Sequence, residues 1–186
     1  MKKILFTVLV GLFTSFTSFA QTVQEPEFIG EVYLLTSDST YISLSKTPAA
    51  VKAKSGLSAM VPLVGTVKSY MIVKGTQAET RIPAANGLVQ FIVRAENNDF
   101  DPSGMVSVMS FEVKKKERRV LMNQVSVLRG SSSESLDGLP YKFEKYGEHS
   151  YKITLENAQT GEYGIMIFEN EQSTATYPGF RCFGID

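Results

Sequence analysis

Cys182 and His149 are the only cysteine and the only histidine in this 186-residue chain. A thiolate–imidazole pair would have to use both, and a Ser-His-Asp relay would have to use His149. Neither sits in a local signature for such chemistry. Structural zinc takes more Cys or His ligands than the chain supplies. Cys182 lies in the strand-like run "FRCFGI" (180–185), and an unpaired cysteine in such a run reads as an inert core residue. Arg181 falls on the opposite face of that strand, badly placed to activate the thiol. His149 opens the alternating run "HSYKITLE" (149–156), on the face of Tyr151 and Ile153, and reads as a strand-end residue at a sheet rim. No catalytic residue is assigned.

The polar run "AENNDFDPSG" (95–104) gathers hard oxygen ligands. Asn97, Asp99 and Asp101 are candidate calcium ligands, with Asn98 among them, since calcium prefers Asp and Asn loops of this kind. The spacing is not that of an EF-hand. The same residue types make an ordinary strand-to-strand loop, which is the preferred reading. "KKKERR" (114–119) is the densest charge run. Lys114, Lys115, Lys116, Arg118 and Arg119 form a candidate basic patch for an anionic polymer. Glu117 dilutes it, and a hairpin tip whose lysines keep an edge from pairing is the preferred reading. Tyr33, Tyr41, Tyr70 and Tyr177 are candidate platforms for a sugar ring, in a chain that has no tryptophan.

Other enzyme signatures are absent from the sequence. It has no phosphate-binding glycine loop, no G-x-S-x-G elbow, no HExxH and no dinucleotide fingerprint. A carboxylate pair could hydrolyse a glycoside, but nothing in the spacing selects two of the 19 acidic residues.

The first twenty residues, "MKKILFTVLVGLFTSFTSFA", have the build of a Sec signal peptide. Lys2 and Lys3 precede an apolar run too short to span a membrane, and Ser18 and Ala20 supply a small-x-small cleavage site before Gln21. No cysteine lies near that site, so lipoprotein acylation is not expected. The expectation is a periplasmic or secreted chain of residues 21–186 with no membrane span and no cofactor beyond the calcium candidate. Without Lys2 and Lys3 it carries 17 basic and 19 acidic residues, a formal charge of −2. That balance gives no long-range field to attract nucleic acid. One cysteine allows no internal disulfide, so packing must hold the fold, and a chain this size buries roughly 70% of its surface.

These residues are positioned by short runs of period two rather than by helical patterns. Strands are expected at 31–36, 40–46, 69–75, 79–83, 87–94, 104–113, 118–128, 149–156, 162–169 and 180–185. In 87–94, Val89, Phe91 and Val93 share one face. In 149–156, Tyr151, Ile153 and Leu155 do. The run 104–113 is continuously apolar, as in a strand covered on both faces. Asn86-Gly87, Asp101-Pro102, Asp137-Gly138, Gly147 and Gly161 mark reversals. Residues 47–60 read as either a short helix or a loop with one strand. Residues 129–140 read as a long polar loop. The fold class is all-β, an antiparallel β-sandwich with a β-barrel as the alternative, forming one domain over 21–186.

"YKITLENAQTGEYGIMIF" followed by "FRCFGID" resembles the tail of a set of uncharacterised exported bacterial β-rich proteins. They share a "GEY" strand and a final strand ending "FGID". "FIVRAENNDFDPSGMVSVMSFEVKKKERRV" is similar to their middle part, so the resemblance spans about 66–186. The chain has Thr160 where that pattern places proline. The resemblance implies fold and export and carries no catalytic residue. Cys182, Phe183 and Gly161 take structural roles. Gly161 is expected to turn the chain so that 162–168 and 180–185 pair antiparallel, and the last strand closes a sheet. The expected function is non-catalytic binding of another envelope or extracellular protein, for instance at an exposed sheet edge. The alternative is a glycan-binding module, calcium-assisted through the 97–101 loop. A hydrolase with an unidentified site ranks third.

Overall fold

The structure, a computed structural model, describes residues 23–55, 66–83, 87–126, 138–168 and 179–186. They form an all-β fold of two mainly antiparallel sheets. The chain order is β1 (Val32–Ser37), β2 (Thr40–Ser43), β3 (Lys46–Pro48), β4 (Ala50–Ser55), β5 (Thr66–Lys74), β6 (Arg81–Ile82) and β7 (Val89–Arg94). There follow β8 (Val106–Lys114), β9 (Glu117–Ser126), β10 (Lys142–Tyr146), β11 (Ser150–Leu155), β12 (Gly161–Ile167) and β13 (Gly179–Ile185). Among the described residues no helix is long and apolar enough to cross a membrane.

The first sheet has five strands in the order β10-β11-β7-β1-β2. The second has eight: β3-β13-β12-β8-β9-β5-β4 in path order, with β6 lying parallel to the end of β13. Strand alternation puts Phe91 and Ile153 of the first sheet and Val108, Ile165 and Phe183 of the second into one shared core. Phe91 and Phe183 meet across it at 5.0 Å between ring centroids. The opposite face of β8, β12 and β13 carries Met109, Phe111, Met166, Phe180 and Cys182. Met71 and Val73 of β5 complete this second core. The larger sheet therefore curls over its own back and approaches a barrel. That explains why β8 is apolar on both faces, and it fits the expectation for 104–113.

The inward faces of β7 and β11 are those expected, with Val89, Phe91, Val93, Tyr151, Ile153 and Leu155 all buried. β12 and β13 pair antiparallel, and β13 lies between β12 and the β3/β6 edge.

Other expectations change. The run 40–46 is two strands in different sheets, because buried Leu44 carries the chain across the corner. Of the two readings left open for 47–60 the helix is set aside: 47–55 hold the end of β3 and, after Ala49, β4, whose pairing along β5 overrides the helix propensity of the alanines; residues 56–60 lie outside the described residues. β10, not expected as a strand, pairs with β11 throughout. Gly161 does not turn the chain. It is the first residue of β12, opposite Ile185, and the left-handed residue before it is Asn157 with φ 58°. Asn86, Asp137 and residues 129–137 lie outside the described residues.

Candidate functional site

His149 and Cys182 are not brought together. His149 sits in the turn before β11, its Nδ1 2.9 Å from the carbonyl of Glu96. Cys182 is in the second core, and burial pushes its thiol up despite the nearby Arg118 guanidinium. Arg181 does face the other way, donating to the carbonyls of Leu44 and Gly30. Phe183 is fully buried between Phe91 and Tyr163.

The 97–101 loop is internally committed. Asn97 Oδ1 accepts the Asp99 N–H at 3.2 Å. Asp99 pairs with Lys145 at 2.8 Å, whose hydrogen bond holds its carboxyl below the usual carboxylate range. Asp101 caps the 3-10 turn Pro102–Gly104 by accepting the Ser103 N–H at 2.8 Å, and Ser103 lowers its pKa likewise. Buried Asn98 donates to the carbonyls of Gly147 and Ser150, tying the loop to the β10–β11 turn. Among the described residues no three His, Cys, Asp or Glu side chains group as a metal site.

The basic run divides by the alternation of β9. β8 and β9 form the expected hairpin, turning at Lys115 (φ 57°) and Lys116. Lys114, Lys115 and Lys116 are exposed at its tip. Arg118 points into the second core against Glu162, and Arg119 is buried between Glu112 at 2.7 Å and the Tyr70 ring at 4.5 Å. The five cations do not form one surface patch.

Among the tyrosines, Tyr70 lies under Arg119, and Tyr177 is outside the described residues. Tyr33 and Tyr41 stack on the outer face of the first sheet, centroids 4.0 Å apart at 15°. Burial, then the hydrogen bond to Tyr41, pushes the Tyr33 phenol up to about 12.

Two surface features remain. One is an open cleft of about 370 Å³ beside β10, with Asp101, Ser103, Ser107, Tyr141 and Phe143 on its walls. Phe143 points to the core side, opposite Ile153, yet is 45% exposed. Tyr141 donates to the Val106 carbonyl, and burial pushes its phenol up to about 12.

The other feature is the edge of β2, which among the described residues pairs with β1 alone. β10 carries Lys142, Glu144 and Lys145, β4 carries Lys52 and Lys54, and β3 carries Lys46 and Pro48, the usual protections of an exposed edge. β2 reads Thr40-Tyr41-Ile42-Ser43, uncharged and exposed throughout. Tyr41 is 47% and Ile42 38% exposed. Glu31 ties a second apolar group to the same end. Its carboxylate accepts from the Ser43 hydroxyl at 3.1 Å and from the Phe28 N–H at 3.3 Å, beside exposed Phe28 and Ile29. The signal in the sequence was the missing charge in 40–43, which composition-led reading passes over. The chain matches no protein-family model and no curated protein.

Proposed function

We propose that this is a non-catalytic exported protein that binds another envelope or extracellular protein by taking one of its extended segments as a strand beside β2. The observation that carries the reading is the uncharged edge Thr40–Ser43, open among the described residues, with Tyr41 and Ile42 exposed on it and Phe28 and Ile29 exposed beside it. Main-chain hydrogen bonds would supply affinity and alternate side chains specificity. Export rests on the N-terminal sequence, whose residues 1–22 lie outside the described residues. The test is affinity capture from envelope extract with residues 21–186, alongside Ile42→Lys and, as control, Val113→Lys at the exposed end of β8. A partner held by the wild type and the control and lost by Ile42→Lys supports the edge. A partner held equally by all three refutes it.

A second reading, a glycan site, is favoured by the cleft. Its volume falls in the range of small-molecule sites, and it combines the exposed Phe143 ring with the Asp101 carboxylate and the Ser103 and Ser107 hydroxyls. Thermal unfolding with cell-wall and polysaccharide fragments, with calcium and with chelator, tests it. A ligand at a hundred times its Kd adds about 2.7 kcal/mol. A shift abolished by Phe143→Ala would support the cleft, and a flat panel would leave the edge as the reading.

A further inference from the structure

We propose that in the isolated protein β2 is closed by β2 of a second copy, in a weak two-fold dimer that must open before the edge accepts a partner's strand. This rests on the reading that β2 is the binding edge, and adds how that edge is regulated.

The register follows from the backbone. Leu44 N–H donates to the Val32 carbonyl at 2.9 Å, so Leu44 is turned towards β1. β1 and β2 pair in regular register from Tyr33↔Ser43 to Leu35↔Tyr41. Antiparallel alternation then turns Ile42 towards β1 and leaves the N–H and C=O of Tyr41 and Ser43 at the free side. A second copy related by a two-fold axis perpendicular to the sheet keeps core faces aligned with core faces. With the axis at Ile42, Tyr41 stands opposite Ser43 of the second copy, and Ser43 opposite its Tyr41. Each pair exchanges both of its hydrogen bonds. The two Ile42 side chains become the non-hydrogen-bonded pair on the core side, with Cβ atoms about 4.5–5.5 Å apart.

Charge selects this edge for self-pairing. A two-fold contact sets a patch against itself. A two-fold pairing of β4 about Ala53 would set Lys52 opposite Lys54 of the copy, β10 carries three charges in five residues, and β3 is three residues long with a lysine at one end and a proline at the other. Thr40–Ser43 opposes no charge to itself. The formal charge of −2 over residues 21–186 adds little repulsion between copies. Pairing also sets the Phe28–Ile29 loop, held near Ser43 through Glu31, beside the Asp38–Tyr41 end of the second copy. Four residues a side make a small interface, so the dimer exchanges readily and stays available to a competing strand.

The test is cysteine trapping with sedimentation velocity on residues 21–186. The Cα atoms of a non-hydrogen-bonded pair stand about 4.5 Å apart, within the range that a disulfide spans. Ile42→Cys is therefore expected to give a covalent dimer under mild oxidation. Val51→Cys, at a still more exposed position on the β4 edge, stays monomeric, and buried Cys182 contributes none. The wild type is expected to show concentration-dependent sedimentation. Ile42→Lys, checked for an unchanged Tm, should weaken the association at least tenfold. A monomer at every concentration with no Ile42→Cys cross-link overturns the dimer, as does equal cross-linking of Val51→Cys. The edge reading fails on a separate result, the capture of partner by Ile42→Lys at the wild-type level.

Discussion

The Arg118 guanidinium and the Glu162 carboxylate meet at 3.5 Å with 4% and 7% of their side chains exposed, an ion pair inside the second core. Glu162 also takes Arg81 at 2.6 Å and the Ala78 N–H at 2.6 Å, and Arg118 donates to the carbonyls of Gly75 and Lys74. Arg81 reaches on to Asp186, the last residue of the chain. The network binds β9, β12, β6 and the end of β13. Removing one partner leaves a buried charge uncompensated. Glu162→Ala is expected to cost about 3–5 kcal/mol, whereas replacing Glu162 and Arg118 together by methionine should cost much less. Urea denaturation of the two variants checks the ordering.

Gly164→Ala is expected to destabilise the fold. A Cβ there would stand 2.7 Å from the Phe111 ring and 3.0 Å from that of Phe180. Those rings are locked edge to face at 4.9 Å, so neither swings away freely. Overpacking of this kind costs about 1–3 kcal/mol. Gly161→Ala, whose Cβ meets only ordinary contacts with Tyr163, should cost less. Equal losses in thermal unfolding would contradict the assignment of the crowded glycine to 164.

Much of this fold was legible because strand alternation reports burial directly. Val89, Phe91 and Val93, and Tyr151, Ile153 and Leu155, face the core as their spacing says. The apolar run at 104–113 marked a strand between two cores. Other features had no local signal. β10 carries charges on both faces, and its strand state comes from pairing with β11. Arg118 and Arg119 read as surface cations because a charge run is usually solvated, yet their partners Glu162 and Glu112 lie on other strands. The edge at β2 was legible only as an absence of lysine, and that acquires meaning once the sheet order shows which strands are outermost.

Glu25 gives a pH dependence of definite sign. Burial raises its pKa, but the Ser150 hydroxyl, the Glu148 and His149 N–H groups and Arg94 outweigh this and hold it below 4.5. The bonds to Ser150, Glu148 and His149 are 2.6, 2.7 and 3.0 Å long. The folded state therefore binds the proton less readily than the unfolded state. The stabilisation is full above 4.5 and is lost as pH falls through the lower folded value. Glu25→Gln removes the charge. Its Tm deficit against the wild type should be constant at neutral pH and shrink in acid. A deficit independent of pH would show that the carboxylate's charge contributes nothing.

Cys182 should behave as a core residue. Its thiol is pushed up by burial and is 7% exposed. A thiol reagent is expected to modify native protein slowly, at a rate set by opening, and denatured protein at the ordinary rate of a free cysteine. Rapid labelling of native protein would mean that β13 opens far more easily than its packing implies.

Deleting residues 180–186 is expected to abolish folding. β13 lies inside its sheet, hydrogen-bonded to β12 on one side and to β3 and β6 on the other. Phe180, Phe183 and Ile185 are essentially fully buried, and they serve both cores, Phe180 on one face and Phe183 and Ile185 on the other. Each such side chain contributes about 1.5–3 kcal/mol, so the three together approach the roughly 5–15 kcal/mol by which a domain is stable. The deletion also takes Asp186 from Arg81 and strands the backbone edge of β12. Far-UV circular dichroism of the truncated chain should show no cooperative thermal transition. A cooperative transition near the wild-type Tm would make the last strand a detachable appendage rather than the closure of both cores.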